Sequence, residues 1–241
     1  MIRLVTPEQM TEASTQAPPQ QLFWLYYAAA AAVCDVVAID CWQQTDSDQT
    51  VTAWLFRRDC TIFLCTTQTA DHAELQEFLR ILGGTLCCNL QTARALGLQE
   101  TRSYEILCTQ ASGRREPQPA PRGETLYTLL SSCFSMPPFA QWYPDFYLAL
   151  RRSVADVFCH EQDGVLCSCV SVLSLTSNTC LLSAVATAPE YRGRGYASSL
   201  LARAKHSLGE RTAFLLAEAA MIPFYQKNGF SSCGRWSETE F

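Results

Sequence analysis

The chain has 241 residues, 48% of them hydrophobic and 17% charged, which suits one large domain or two small ones with a sizeable core. Its net charge of −5 argues against a general nucleic-acid binder, which would show a basic surplus, so any acidic partner must be met locally. The 13 cysteines form no regular framework and no signal peptide opens the chain, so they are expected to be reduced thiols of a cytosolic protein.

The first half reads as alternating strands and helices. Thr15 to Gln20 reads as a loop that ends an N-terminal strand and leads into the apolar run Leu22 to Cys34, interrupted by Asp35. That run is too short for a bilayer core, which needs about 20 residues, and is expected to be a buried helix. Val51 to Phe56 and Thr61 to Thr66 are rich in β-branched and aromatic residues around Arg57-Arg58-Asp59, as in a hairpin. Asp71 to Leu82 is a helix with Asp71 and Glu74 at capping-box spacing, a buried stripe of Leu75, Phe78, Leu79 and Leu82, and Gly83-Gly84 at its end. Thr85 to Asn89 reads as a strand, Gln91 to Leu96 as a short helix closed by Gly97, and Arg102 to Thr109 as another strand.

Gln110 to Gly123, with three prolines among polar and basic residues, reads as a solvated linker. Two helices follow, Glu124 to Phe134 and Phe139 to Val154, split by Met136-Pro137-Pro138. Next comes a hairpin from Ala155 to Leu175, turning at Asp163-Gly164, a dipeptide favoured in type I′ turns. Leu166 to Leu175 and Thr179 to Val185 form a second hairpin across Ser177-Asn178. Cys87-Cys88, and Cys159-His160 with Cys167-x-Cys169, lack the paired Cys-x-x-Cys spacing of a structural zinc site, and no metal is expected. His72, His160 and His206 are isolated in sequence.

The stretch VATAPEYRGRGYASSLLARAKHSL, Val185 to Leu208, organises the second half. Its strand, Cys180 to Thr187, is stopped by Pro189, which has no N–H to donate. Gly193 and Gly195 allow positive φ and close approach of a ligand. From Tyr196 a helix buries Ala197, Leu200, Leu201, Ala204 and Leu208 at helical spacing. The turn thus ends on unpaired N–H groups at the positive end of a helix, a place suited to phosphate oxygens, with Arg192 and Arg194 beside it. A strand from Thr212 to Leu216, a short helix ending in PFYQKNGF and a strand from Ser231 complete the chain. This order repeats that of the first half, and Ala95 to Glu105 stands where Lys227 to Ser237 stands; a duplication is expected, the alternative being that generic β–α alternation produces the match by chance. The first copy carries Thr67 to Asp71, TQTAD, in place of the loop, without glycine or arginine.

Arg192, Gly195 and Ala197 fit the pattern Gln/Arg-x-x-Gly-x-Gly/Ala, and with the later PFYQKNGF this segment resembles the GCN5-related N-acetyltransferase (GNAT) family over residues 123 to 241. The resemblance implies a mixed, three-layer α-β-α fold of the GNAT acyl-CoA N-acyltransferase type. The expected organisation is two GNAT-like halves in tandem: a degenerate copy at 1–110 without a CoA loop, a linker at 111–122 and an acetyltransferase domain at 123–241. It implies acetyl-CoA as cosubstrate, with Val185, Ala186 and Thr187 pairing with the pantetheine arm and Arg192, Gly193, Arg194, Gly195, Tyr196, Ala197 and Ser198 holding the pyrophosphate. Tyr225 matches the family's general-acid tyrosine; on its residues alone it could equally be a core aromatic beside Phe224. Phe134, Phe139, Trp142, Tyr143, Phe146 and Tyr147 lie where the family covers the acceptor cleft, and about half of them are expected to be core. Glu218 stands where many members have an asparagine. With no acid in the strands Thr179 to Val185 or Thr212 to Leu216, Glu218 is the candidate base, and a water chain would serve equally.

The function implied is a cytosolic N-acetyltransferase acting on an amine of a small molecule or protein, without nucleic acid or membrane. The alternatives are a non-catalytic acyl-CoA-binding or interaction module, or an N-terminal half that selects a protein substrate. After Phe230 only eleven residues remain, enough for one strand of about five residues and a tail. The edge left open invites another strand, for which Arg102 to Thr109 is the candidate.

Overall fold

A computed structural model describes residues 1–10 and 18–240. In chain order the elements are β1 (Ile2–Val5), α1 (Pro18–Ala31), β2 (Asp40–Thr45), β3 (Val51–Arg58), β4 (Thr61–Thr66), α2 (His72–Leu82), β5 (Thr85–Asn89), α3 (Leu90–Ala95) and β6 (Arg102–Gln110). They continue with α4 (Gly123–Cys133), α5 (Phe139–Arg151), β7 (Asp156–Gln162), β8 (Val165–Leu175), β9 (Thr179–Thr187), α6 (Tyr196–Ser207), β10 (Thr212–Ala217), α7 (Ile222–Lys227) and β11 (Ser231–Glu240). The repeated order of strands and helices is that of a mixed α/β fold built twice. None of the described helices is long and apolar enough to cross a membrane.

Two compact units do not follow chain order. One comprises Met1–Ile106, Leu216–Ile222 and Ser232–Phe241, and the other Leu107–Leu215 and Pro223–Ser231. In the first unit the strands run β1-β2-β3-β4-β5-β11-β6, so the last strand of the chain sits inside the sheet of the first half. β11 pairs antiparallel with β5 from Trp236↔Asn89 to Glu240↔Thr85. It is ten residues long, about twice the expected length, because these pairs carry it past the point where a lone edge strand would fray. Trp236, only 1% exposed, locks it in place by stacking on Tyr26, which in turn lies against Phe63.

The helix α1 forms because Leu22, Phe23, Leu25, Tyr27 and Ala30 are all buried, and its aromatic residues interlock with Phe56 and Trp54. Of the loop expected over Thr15 to Gln20, residues 15–17 lie outside the described residues. Pro18–Gln20 already belong to α1, whose first turn tolerates proline because its N–H groups have no partner within the helix. The expected capping box is half made. Asp71 Oδ1 accepts from the Ala73 and Glu74 N–H groups at 3.0 and 3.1 Å. Glu74 instead accepts from the Ile2 N–H at 2.9 Å and Gln44 Nε2 at 2.8 Å, while Gln44 Oε1 receives the Asp71 N–H. Gln44, 1% exposed, thus ties β2 to α2, and the buried glutamines of DCWQQT hide β2 from an apolar-pattern reading.

In the second unit the end of β6, 107–110, continues into the order β10-β9-β8-β7. It lies where a docking strand was expected. The turn of the β7–β8 hairpin has positive φ at both Asp163 and Gly164, 53° and 77°, as a type I′ turn requires. α4 packs on β8 and β9 through Leu126, Leu129 and Leu130, against Cys169 and Ala186.

The segment after β6 is exposed over most of its length, as a solvated linker would be, but its first half, 111–116, is tied down. Ala111 is fully buried, and the N–H groups of Ala111, Ser112 and Glu116 donate to the carbonyls of Arg211, Lys205 and Ser207. Arg115 Nη1 lies 2.7 Å from buried Asp156 Oδ2. Gly113, at φ 140°, passes so close to the His206 carbonyl that a Cβ would sit 2.1 Å from its oxygen. These bonds along the end of α6 strap the segment down despite its polar composition.

The cysteines are free thiols. Burial pushes those of Cys65, Cys87 and Cys169 up to about 12, which makes them inert core residues. Among the described residues no group of three or more His, Cys, Asp or Glu could hold a metal ion.

Candidate functional site

The site begins with an interruption in the sheet of the second unit. β9 and β10 pair in parallel at Thr179↔Thr212, Cys180↔Ala213 and Leu181↔Phe214, and their pairing stops there although β9 continues to Thr187. From Leu182 onward β9 is paired on its β8 side, and its other edge is open. Among the described residues the first unit has only a shorter counterpart, because β4 and β5 pair from Thr61↔Thr85 to Leu64↔Cys88 and leave just Cys65 and Thr66 of β4 beyond the pairing.

Strand alternation decides which groups the open edge presents. The Ala188 N–H donates to the Cys167 carbonyl at 2.9 Å, and the register runs through Ser168↔Thr187, Cys169↔Ala186 and Val170↔Val185. Ala186 therefore directs its N–H and C=O toward β8, whereas Val185 and Thr187 direct theirs away from it. Of the three residues expected to pair with a pantetheine arm, Ala186 is thus corrected. Its carbonyl also receives the Ser168 hydroxyl at 2.8 Å, and its side chain belongs to the core beneath α4. The Thr187 carbonyl accepts from Arg192 Nε at 3.1 Å and from the thiol of Cys133, at the end of α4, at 3.5 Å.

A single 3-10 turn, Pro189–Tyr191, leads from β9 into the loop. Gly193 and Gly195 have φ of 76° and 81°, and a Cβ at either would meet nothing within 4 Å, so the loop borders open space. Gly195 caps α6 without a side-chain hydrogen bond, leaving the first-turn N–H groups, those of Tyr196, Ala197 and Ser198, without intrahelical partners. With the helix dipole they form a donor set of one polarity. The two arginines are held back along the loop. Arg192 reaches Thr187, and Arg194 donates to the Glu190 carbonyl at 3.2 Å and lies over the Tyr191 ring at 5.2 Å. Tyr196 fixes the helix start against β7, where its ring stacks on His160 at 4.2 Å and its hydroxyl donates to Gln162 Oε1.

Tyr225, in α7, is 7% exposed, with its ring edge-on to Phe224 and Phe230 at 5.1 and 5.9 Å. Burial pushes its phenol up to about 12. Glu218 follows β10 at the start of a 3-10 turn; its carbonyl accepts the Met221 N–H, and the residue is exposed.

None of the aromatic residues of α5 is fully buried, so the expectation that about half of the group is core is met only in part. Trp142 and Phe146, stacked at 4.8 Å, pack on the core of α4, β8 and β9. Phe139 and Tyr143 stack at 5.0 Å, and Tyr143 covers Gly123, where a Cβ would lie 2.1 Å from its ring. Phe134 and Tyr147 are exposed. Sequence reasoning missed the end of the β9–β10 pairing, the Cys133 thiol at Thr187 and the seating of Tyr196 on His160 and Gln162. Each depends on register or on contacts across many residues, and no local pattern signals them.

The acetyltransferase (GNAT) family matches residues 123–230. Over nearly the whole chain the fold is similar to that of a GCN5-related N-acetyltransferase from Sphaerobacter thermophilus, at 14% identity and TM-score 0.65, covering 99% of this chain and 94% of that one. It is similar also to a GCN5-related N-acetyltransferase from Kribbella flavida, at 10% identity and TM-score 0.60, covering 94% and 96%. A third likeness is to a tandem GNAT protein from the clavulanic acid biosynthesis pathway, at 13% identity and TM-score 0.58, covering 99% and 97%. No curated protein matches the chain significantly.

Proposed function

Because residues 123–230 form a domain of the acetyltransferase (GNAT) family and the whole chain has the fold of GNAT proteins, we propose that this is an acetyl-CoA-dependent N-acetyltransferase acting on a primary amine. The observation that carries the reading is the open edge of β9 running into a glycine loop on the N-terminus of α6. An extended amide-bearing arm would pair with the N–H and C=O groups of Val185 and Thr187 as an added strand would. A pyrophosphate would accept from the N–H groups of the loop and the first turn of α6, from Arg192 to Ser198. Gly193 and Gly195 fit that use, since the space a Cβ would enter is open. Bound there, acetyl-CoA supplies an activated acetyl group for direct attack by the amine.

The chain's own groups then have two tasks. An amine must lose a proton, and the departing sulfur must be stabilised. We assign the second task to Tyr225. A phenol near 12 lies about 3.5 pH units above a thiol near 8.5, so full proton transfer would be uphill by about 5 kcal/mol. Tyr225 therefore serves first as a hydrogen-bond donor that keeps its proton at any working pH. For the first task we assign a water chain; Glu218, the candidate base named from the sequence, is exposed but belongs to the first unit, so it stays the alternative route.

A cytosolic setting belongs to the same proposal and is supported by the free thiols. The degenerate loop Thr67 to Asp71 and the longer pairing of β4 with β5, which leaves only Cys65 and Thr66 open, support one acetyl-CoA site per chain, in the second unit. The competing reading is a domain that binds acyl-CoA without turnover, which the burial of Tyr225 favours. Release of free thiol from acetyl-CoA over a panel of small amines and lysine peptides separates the two. Amine-dependent release supports transfer. Saturable acetyl-CoA binding with no release for any amine supports the binding module.

A further inference from the structure

We infer that the first unit carries a second small-molecule site, for a small organic carboxylate, in a cavity of about 350 Å³ where the start of α1, the β5–α3 junction and β11 meet. Gln20, Asn89, Gln91, Arg94, Gly234 and Arg235 line it, all within that unit. At about 30 Å³ for a water-sized group, the space takes a guest of about twelve non-hydrogen atoms.

Its polar groups are only partly used by the protein. Asn89 is 8% exposed; its Oδ1 accepts the Thr92 N–H at 2.9 Å as the cap of α3, which leaves the two N–H donors of its amide. Gln20 donates from Nε2 to the Thr66 carbonyl at 2.8 Å, which leaves its oxygen as an acceptor. The guanidinium groups of Arg94 and Arg235 meet Glu100 and Glu105 only at 3.9 Å, although Arg235 also reaches Ser103 Oγ at 3.1 Å. Two forked cations with loose partners, beside a buried amide donor and an amide acceptor, suit a carboxylate that also bears a hydroxyl or amino group. Gly234 shapes the floor, since a Cβ there would lie 2.7 Å from Pro19 Cγ, and its absence lets α1 begin against β11. A second CoA does not suit this half, which lacks the glycine loop and leaves only Cys65 and Thr66 of β4 beyond its pairing with β5, against the longer open edge proposed to serve CoA in the second unit. The exchange of β11 is what brings Arg235 into the first half. The site therefore exists only in the paired arrangement of β5 with β11.

Calorimetric titration of the full chain with hydroxy-, amino- and dicarboxylates, and separately with phosphate monoesters, tests the inference. At least one carboxylate is expected to bind saturably, with Kd weakened about tenfold in Arg94→Gln and in Arg235→Gln, the loss expected for one charge-assisted hydrogen bond. Both side chains are largely exposed, so both variants should keep the parent melting temperature and acetyl-CoA affinity. Saturable binding of phosphate monoesters alone overturns the carboxylate assignment. No saturable binding by either class, or binding unchanged in both variants, overturns the site.

Discussion

Replacing Trp236 by alanine tests the strand exchange at its most sensitive point. Trp236 lies near the C-terminus, yet it is 1% exposed, stacks on Tyr26 of α1 at 6.1 Å and pairs across the sheet with Asn89 of β5. Truncating a fully buried tryptophan costs about 3–5 kcal/mol, the lost transfer energy plus that of the cavity left behind. For a chain of this size each kcal/mol lowers Tm by about 2–4 °C, so calorimetry should record a fall of about 6–20 °C. The loss should be local. Amide exchange should quicken in β5, whose Thr85 to Asn89 face β11, before it quickens in β8 or β9. A Tm within about 2 °C of the parent, or exchange that quickens only among 107–215, would refute the placement of β11 in the first unit.

A fragment starting at Arg122 loses both β5, the partner of β11, and β6, the neighbour of β10, and should be insoluble or far less stable than the full chain; a cooperative melt at the parent temperature would contradict this. Gly195→Val should weaken CoA binding more than Arg194→Ala. The valine must hold φ near 81° at a strain of about 1–3 kcal/mol and disturbs the loop amides, whereas Arg194 is exposed and already bound to Glu190; calorimetry giving the reverse order counts against the loop. Tyr225→Phe, which removes one hydrogen-bond donor to the departing sulfur, should lower kcat about 10²- to 10³-fold with CoA affinity nearly unchanged. Because burial holds the phenol near 12, the ratio of the two kcat values should stay flat from neutral pH to about 10 and fall only as Tyr225 itself ionises. A ratio that falls with an apparent pKa near 8 would assign the proton to another group.

What was legible in the sequence is what local chemistry fixes. Asp163-Gly164 declares its turn, Gly193 and Gly195 take the positive φ that two glycines before a helix suggest, and Leu200, Leu201 and Ala204 bury the face their spacing names. What was not legible depends on partners distant in the chain. Ser231 to Glu240 reads as a short strand and a tail because nothing local reports that Thr85 to Asn89 will pair with it. Gln110 to Gly123 has the composition of a solvated linker and is mostly exposed, but the carbonyls of Lys205, Ser207 and Arg211 hold 111–116 down, which no local pattern reports. The candidate site divides in the same way. Its loop could be read from residues 192–198, but the choice of Val185 and Thr187 over Ala186 follows from the register of β9 on β8.

The central claim, that the open edge of β9 and the start of α6 hold acetyl-CoA, is tested most directly by residue-resolved amide exchange with and without CoA. The N–H groups of Val185, Thr187 and 196–198 should gain protection on binding, while Ala186, already directed to β8, should change little. Unchanged exchange along β9 and α6 at saturating CoA, or protection confined to 67–71 in the first half, would contradict it.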